Sequence, residues 1–221
     1  MALETIELHP SGAPRATLII LHGLGADGTD FLPMCDALDL RDVGPVRCVM
    51  PRAPERPVTI NAGYRMRAWY DILGSEIDRR EDETGLRESF TQVRELIERE
   101  TARGVPAERI VLAGFSQGGA ITLGAGLRHP QRLAGLACLS GYLPLAATTA
   151  GERHEANGAT PVFAGHGRLD EVVPPSRGAA ARDALQALGH EVGWNEYPIK
   201  ESQNMDKLDQ LQAWQLSAQG R

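Results

Sequence analysis

The chain of 221 residues has little cysteine. Its three thiols, Cys35, Cys48 and Cys138, are an odd count at wide spacing. No CxxC pair and no HExxH segment occurs, so the familiar zinc frameworks are excluded and no metal is expected. Thiols set in apolar segments read as reduced core residues, which points to the cytoplasm. No apolar run is long enough to span a membrane. The opening Met1-Ala2-Leu3-Glu4-Thr5-Ile6-Glu7 lacks the basic-then-apolar order of a signal peptide. Positive charge is also short: 23 Lys and Arg stand against 29 Asp and Glu, a formal net charge of −6. With no basic block, nucleic acid is excluded as a partner.

What is present is a globular composition, 42% hydrophobic and 24% charged, at a length that suits one domain over residues 1–221. Short apolar runs alternate with amphipathic ones. Residues 16–21, 47–50, 110–113, 133–140, 161–165 and 191–197 read as strands. Residues 31–40, 117–128, 177–188 and 205–216 read as helices. Leu86, Phe90, Val93 and Ile97 recur at helical spacing and predict one face of another, closed by Gly104. Residues 52–71 read as a long loop and 146–159 as a polar surface excursion. No repeat or linker interrupts the pattern. Strand–helix alternation predicts an α/β fold, with a mainly parallel central sheet and helices on both faces. In such folds chemistry sits at the carboxyl ends of the strands.

The densest motif is Gly114-Phe115-Ser116-Gln117-Gly118-Gly119, between the apolar Ile110-Val111-Leu112-Ala113 and a run of small residues. A buried strand, a sharp turn with serine at its apex and a helix form a nucleophile elbow. The turn forces strained angles on Ser116, and flanking side chains would collide. Serine needs a base, an orienting acid and donors for the developing oxyanion. Asp170, in a Gly- and Pro-flanked loop after a strand, is the candidate acid; a helix N-cap before Pro174 is its alternative role. The backbone N–H groups of Gln117, just after the nucleophile, and of Leu24, in His22-Gly23-Leu24-Gly25, are the candidate oxyanion donors. Tyr64, Trp69 and Tyr70 either wall an acyl pocket or pack in the core.

Six stretches carry a resemblance to a known family. They are Leu21-His22-Gly23-Leu24-Gly25-Ala26-Asp27-Gly28, Pro51-Arg52-Ala53-Pro54 through Arg67-Ala68-Trp69-Tyr70-Asp71, Gly114 to Gly119, Leu139-Ser140-Gly141-Tyr142-Leu143-Pro144, Gly165-His166-Gly167 to Asp170, and Trp194-Asn195-Glu196-Tyr197-Pro198. In this order they resemble the small bacterial carboxylesterases of the acyl-protein thioesterase/phospholipase type, within the α/β-hydrolases. The resemblance implies cofactor-free hydrolysis of short to medium acyl esters or thioesters. It implies Ser116 as nucleophile, Asp170 as acid, and Leu24 and Gln117 as oxyanion donors. It also mildly implies a homodimer.

One departure stands out. After Tyr197-Pro198 the family has Met-Gly-His, whose histidine is the general base; here Ile199, Lys200 and Glu201 fill those slots. No histidine follows His190. His22 and His166 lie in strand-end turns near the expected site and are the two candidate substitutes. Glu201 is a poor acceptor for a serine proton, having an ordinary pKa near ~4.3. Lys200 would have to lose its proton through burial, against acidic neighbours. Two readings follow: a weak serine hydrolase, or a catalytically impaired acyl- or ester-binding protein of the same fold. An elbow-bearing transferase or lyase is a third, because fold alone does not fix function.

Overall fold

In a computed structural model, residues 2–38, 40, 42–74 and 80–198 are described. Seven strands form one sheet: β1 (Thr5–Leu8), β2 (Ala16–Leu21), β3 (Val46–Pro51), β6 (Ile110–Phe115), β7 (Gly135–Leu139), β8 (Val162–Gly167) and β9 (Val192–Tyr197). Their spatial order is β1-β3-β2-β6-β7-β8-β9. Only β1 runs antiparallel, pairing Thr5 with Pro51 through Leu8 with Cys48; the other neighbours are parallel. This is the α/β-hydrolase sheet that the alternation predicts.

Parallel strands covered on both faces must be apolar throughout, and β2 and β6 are. Alternate residues divide between two cores. Ile19, Leu21, Ile110 and Leu112 join one core with Leu86, Val93 and Ile97 of α2 (Glu83–Ala102) and the apolar side of α3 (Gln117–Arg128). Leu18, Ile20, Val111 and Ala113 join the other with Phe31, Met34 and Cys35 beside α1 (Leu32–Ala37). The small residues of α3 have a packing reason. A Cβ on Gly124 would overlap the Phe90 ring of α2, and one on Gly126 would overlap Leu136 of β7.

The structure corrects several sequence expectations. Residues 52–71 are not a plain loop. They form a two-stranded hairpin, β4 (Glu55–Val58) and β5 (Tyr64–Arg67), around a 3-10 turn. The helix expected over 31–40 begins as a 3-10 turn at Gly28–Phe31 and ends as α1 at Ala37. The surface excursion 146–159 contains α4 (Ala146–Glu152). Strand β1, whose four residues are all half-buried, is too short and too mixed for a periodicity to register. Helix α5 (Pro175–Ala187) starts two residues earlier than expected. The expected closing helix 205–216 lies outside the described residues, as do Ile199, Lys200 and Glu201.

The end of the sheet opposite the elbow is tied by a buried ionic network. Glu100 of α2 is fully buried; its Oε2 takes Arg47 Nη1 at 2.6 Å and the Thr17 hydroxyl at 3.2 Å. Its Oε1 takes Arg103 Nη1 at 2.8 Å. Arg99 and Arg103 also hold Glu7 of β1, at 2.8 and 2.9 Å, and so pin the antiparallel edge strand to α2. Burial works against ionisation of Glu7, but the Arg103 hydrogen bond and the charges of both arginines outweigh it and hold its pKa low. Removing one member of a buried pair leaves the other uncompensated. Glu100→Ala is therefore expected to cost about 3–5 kcal/mol of unfolding free energy in urea titration. A loss below about 1 kcal/mol would mean that the network contributes little.

Candidate active site

Ser116 directly follows β6, the central strand of the seven, and is the N-cap of α3. Its backbone sits at φ 53 and ψ −115, outside the ordinary wells. Such a conformation costs on the order of 1–3 kcal/mol and persists only where its surroundings over-determine it. They do so here. The Ser116 N–H donates to the Leu139 carbonyl at 2.8 Å, extending the sheet ladder by one bond. A Cβ on Gly114 would overlap the Gly118 carbonyl, and a Cβ on Gly118 would overlap the Leu21 carbonyl and lie 2.6 Å from that of His22. Glycine at both positions is thus a matter of close approach, while the positive φ belongs to the serine.

The adjoining loop after β2 is fixed by its histidine. His22 is fully buried; its Nε2 accepts from the Ala53 N–H at 3.0 Å, and its Nδ1 lies 2.7 Å from the Gly23 carbonyl. That pairing defines a neutral ring with the proton on Nδ1. Burial pushes the His22 pKa below its usual range, against the opposing pull of the Gly23 carbonyl. Both nitrogens are engaged, so His22 is a strut and not a spare base. Leu24 follows it, and Gly25, at φ 71, donates to the Arg67 carbonyl at 2.8 Å.

A second strap reaches the elbow from the hairpin side. The Trp69 N–H donates to Gln117 Oε1 at 2.8 Å, and Gln117 Nε2 donates to the Tyr70 carbonyl at 2.8 Å. Trp69 Nε1 donates to the His22 carbonyl at 2.8 Å, and the Ser89 hydroxyl donates to the Trp69 carbonyl. Trp69 is a fully buried core residue. Tyr64 is a 70% exposed residue on the hairpin, away from the pocket wall. Tyr70 lines the pocket. The Gln117 side chain as a clamp went unread in the sequence; its signal was the polar residue that follows Ser116 into a helix start of small residues.

A cavity of about 590 Å³, including space open to solvent, brings together Leu24, Ser116, Gln117, Tyr70, Tyr142 and Arg177. The N–H groups of Leu24 and Gln117 enter no turn or loop hydrogen bond among the described residues. Gln117 opens α3, where the first N–H groups have no intrahelical partner. Tyr142 and Arg177 were not singled out from sequence; Arg177 only marked the start of a helix.

Asp170 lies behind the wall at Val172 and Val173, after β8, and is almost wholly buried. Its Oδ1 accepts from the Val172 and Val173 N–H groups at 3.0 and 2.8 Å. Its Oδ2 is buried with no hydrogen-bond partner among the described residues. The alternative of a side-chain cap for α5 does not hold, because the N-cap is Pro174 and no side chain caps it. His166 comes within 3.6 Å of Oδ2, longer than a hydrogen bond, while its Nε2 lies 2.8 Å from the Val173 carbonyl. The ring stacks on Trp194 and its Nδ1 faces Gly178 of α5. Neither candidate substitute histidine is therefore presented to Ser116. The three cysteines are free and buried; complete burial pushes the Cys138 thiol up to about 12.

A mainly parallel sheet of this order, with a strained serine after its central strand, is that of the α/β-hydrolase class. The phospholipase/carboxylesterase family profile matches residues 4–214, and the chain belongs to that family. It is 38% identical over 208 residues to an acyl-protein thioesterase 1 of Gibberella zeae, covering 90% of this chain and 88% of that one. It is 33% identical over 214 residues to an acyl-protein thioesterase 1 of Yarrowia lipolytica, covering 95% and 94%. Among solved structures, Arabidopsis thaliana SOBER1 superposes with a TM-score of 0.88 at 30% identity, covering 94% of this chain and 100% of that chain. Zea mays acyl-protein thioesterase 2 superposes at 0.86 and 28%, covering 98% and 99%. These curated relatives are fungal, so the bacterial element of the resemblance is not supported. The chain is thus an enzyme of the carboxylesterase-type hydrolases. No described helix is long and apolar enough to cross a membrane.

The buried neutral His22 gives a pH signature. Its folded pKa is depressed, so above pH 6.5 it is neutral in both the folded and the unfolded chain and makes no difference. Below 6.5 the unfolded chain takes up a proton that the folded one refuses, and stability falls with pH. The slope from this one group is at most about 1.4 kcal/mol per pH unit. His129 and His190, also shifted down by burial, act in the same direction. Urea titrations at pH 7.5, 6.5 and 5.5 should show His22→Gln with a shallower loss of stability than the parent. Identical slopes would contradict a neutral His22.

Proposed function

We propose that the chain hydrolyses short to medium acyl esters or thioesters through an acyl-enzyme on Ser116. The carrying observation is the serine itself, strained after the central strand and opening on a cavity with two N–H groups uncommitted among the described residues. In this reading Ser116 Oγ attacks the acyl carbonyl, and the N–H groups of Leu24 and Gln117 receive the developing oxyanion. The C–O or C–S bond breaks and the serine proton goes out with the departing alcohol or thiol; water then cleaves the acyl-enzyme to a carboxylic acid and returns a proton to Ser116 Oγ. Asp170, with Oδ1 tied to two N–H groups and Oδ2 without a hydrogen bond among the described residues, suits a group that orients a base. The names of the relatives, acyl-protein thioesterases, favour thioesters of acylated proteins among the substrates. Free, buried thiols accord with a cytoplasmic protein, and a homodimer is part of the same family reading.

The base is the weak member. The slot that holds histidine in the family holds Glu201, and both nearby histidines are structurally committed. Loss of the base histidine from a serine triad lowers kcat on the order of a million-fold, and the oxyanion hole and binding alone retain about 10³–10⁴ over water. The enzyme should therefore be slow, and the limiting case is a pocket that binds acyl groups without turning them over.

The test is hydrolysis of p-nitrophenyl butyrate by the parent, by Glu201→His, and by Glu201→His combined with Ser116→Ala. Proton transfer by a general base contributes about 10²–10⁴-fold, so a gain of at least about 10²-fold is expected, below the roughly million-fold of an intact triad. The gain should appear in Glu201→His and vanish in the double variant. No gain from Glu201→His, or a gain that survives loss of Ser116, would overturn the reading.

A further inference from the structure

The cavity beside Ser116 contains a guanidinium that no described carboxylate pairs with directly. Arg177 is the third residue of α5, in the first turn, where the helix dipole disfavours positive charge. Its guanidinium lies over the Tyr142 ring, with Cζ 3.4 Å from the centroid. That ring is fixed in turn by a 2.6 Å hydrogen bond between the Tyr70 and Tyr142 hydroxyls. Arg177 Nη1 is buried and has no hydrogen-bond partner among the described residues.

The three carboxylates on the wall keep their charge but are aimed at neutral donors and not at Arg177. Asp71 accepts from the Thr59 N–H at 2.7 Å and the Thr59 hydroxyl at 2.6 Å. Asp82 accepts from the N–H groups of Asp71 and Gly85, at 2.9 and 3.0 Å. Glu81 accepts from the Leu145 N–H at 3.1 Å. Arg80, on the same wall, is a second cation set against those carboxylates. A buried charged donor without an acceptor is costly, and a planar guanidinium is matched in shape to a carboxylate. Held against Tyr142, Arg177 has given up much of its rotamer freedom before any ligand arrives.

We propose that Arg177 is a specificity-determining residue that binds a carboxylate carried by the substrate. The preferred esters or thioesters then bear an acidic group a few bonds from the scissile carbonyl, on either the acyl or the leaving-group side. This rests on reading the cavity as the substrate pocket.

Unreactive amides test it without requiring turnover. N-butylsuccinamate carries the acid on the acyl side, 4-(butyrylamino)butanoate carries it on the leaving-group side, and N-butylbutyramide is neutral. In calorimetric titration one of the two acids should bind the parent chain at least about tenfold more tightly than the neutral amide. The acid that gains identifies the side. Arg177→Leu should abolish the difference, and Arg177→Lys, which keeps the charge but not the planar fork, should keep part of it. Failure of both acids to outbind the neutral amide, absence of binding by either acid, or a preference that survives in Arg177→Leu would overturn the proposal. Because amide binding does not depend on Ser116 reactivity, such a failure leaves the hydrolase reading standing.

Discussion

The close approach of Gly114 to Gly118 is the constraint on which the site depends. No Cβ fits at either position, since one would overlap the Gly118 carbonyl and the other the Leu21 carbonyl. With both atoms absent, α3 can start directly against the ends of β6 and β2. The chain turns within one residue, and that residue takes φ 53. The strain on the order of 1–3 kcal/mol is spread over a frame that cannot relax without separating a helix from the sheet. An alanine at either glycine would relieve the strain only by moving the serine.

The elbow is also where two other segments converge. His22 links the loop after β2 to Ala53 through a neutral ring, and Trp69 links its carbonyl to the segment after the hairpin. The amide of Gln117 closes the circuit by bonding the backbone of both Trp69 and Tyr70. Leu24, Gln117 and the pocket-lining Tyr70 are thereby positioned by one connected set of buried hydrogen bonds. Such a set is worth keeping only when fully satisfied, because a half-satisfied buried network costs more than an apolar core. The histidine next to Ser116 is consumed by this duty, so His22 is no reserve base.

Much of this was legible in the residues, for identifiable reasons. The apolar runs of β2 and β6 and the small-residue face of α3 register because buried strands and close helix packing leave composition signals. Ser116 and Asp170 register because glycine and proline punctuate the turns that carry them. The hairpin in 52–71 did not register, because its four-residue strands carry exposed charge and proline with no alternation to detect. The clamp by Gln117, the orphaned Asp170 Oδ2 and the stacking of Arg177 on Tyr142 were invisible for another reason. Each depends on contacts between segments 31 or more residues apart, or on which side-chain oxygen a turn uses.

The central claim is that the folded frame, rather than the serine alone, makes Ser116 a nucleophile. The most direct measurement is covalent trapping by a fluorophosphonate, with peptide mapping of the adduct in folded protein and in protein unfolded by urea. The account predicts a single adduct on Ser116 that forms slowly, for want of a base, and only in the folded chain. An adduct on another residue, or equal labelling of Ser116 in the folded and unfolded chain, would contradict it.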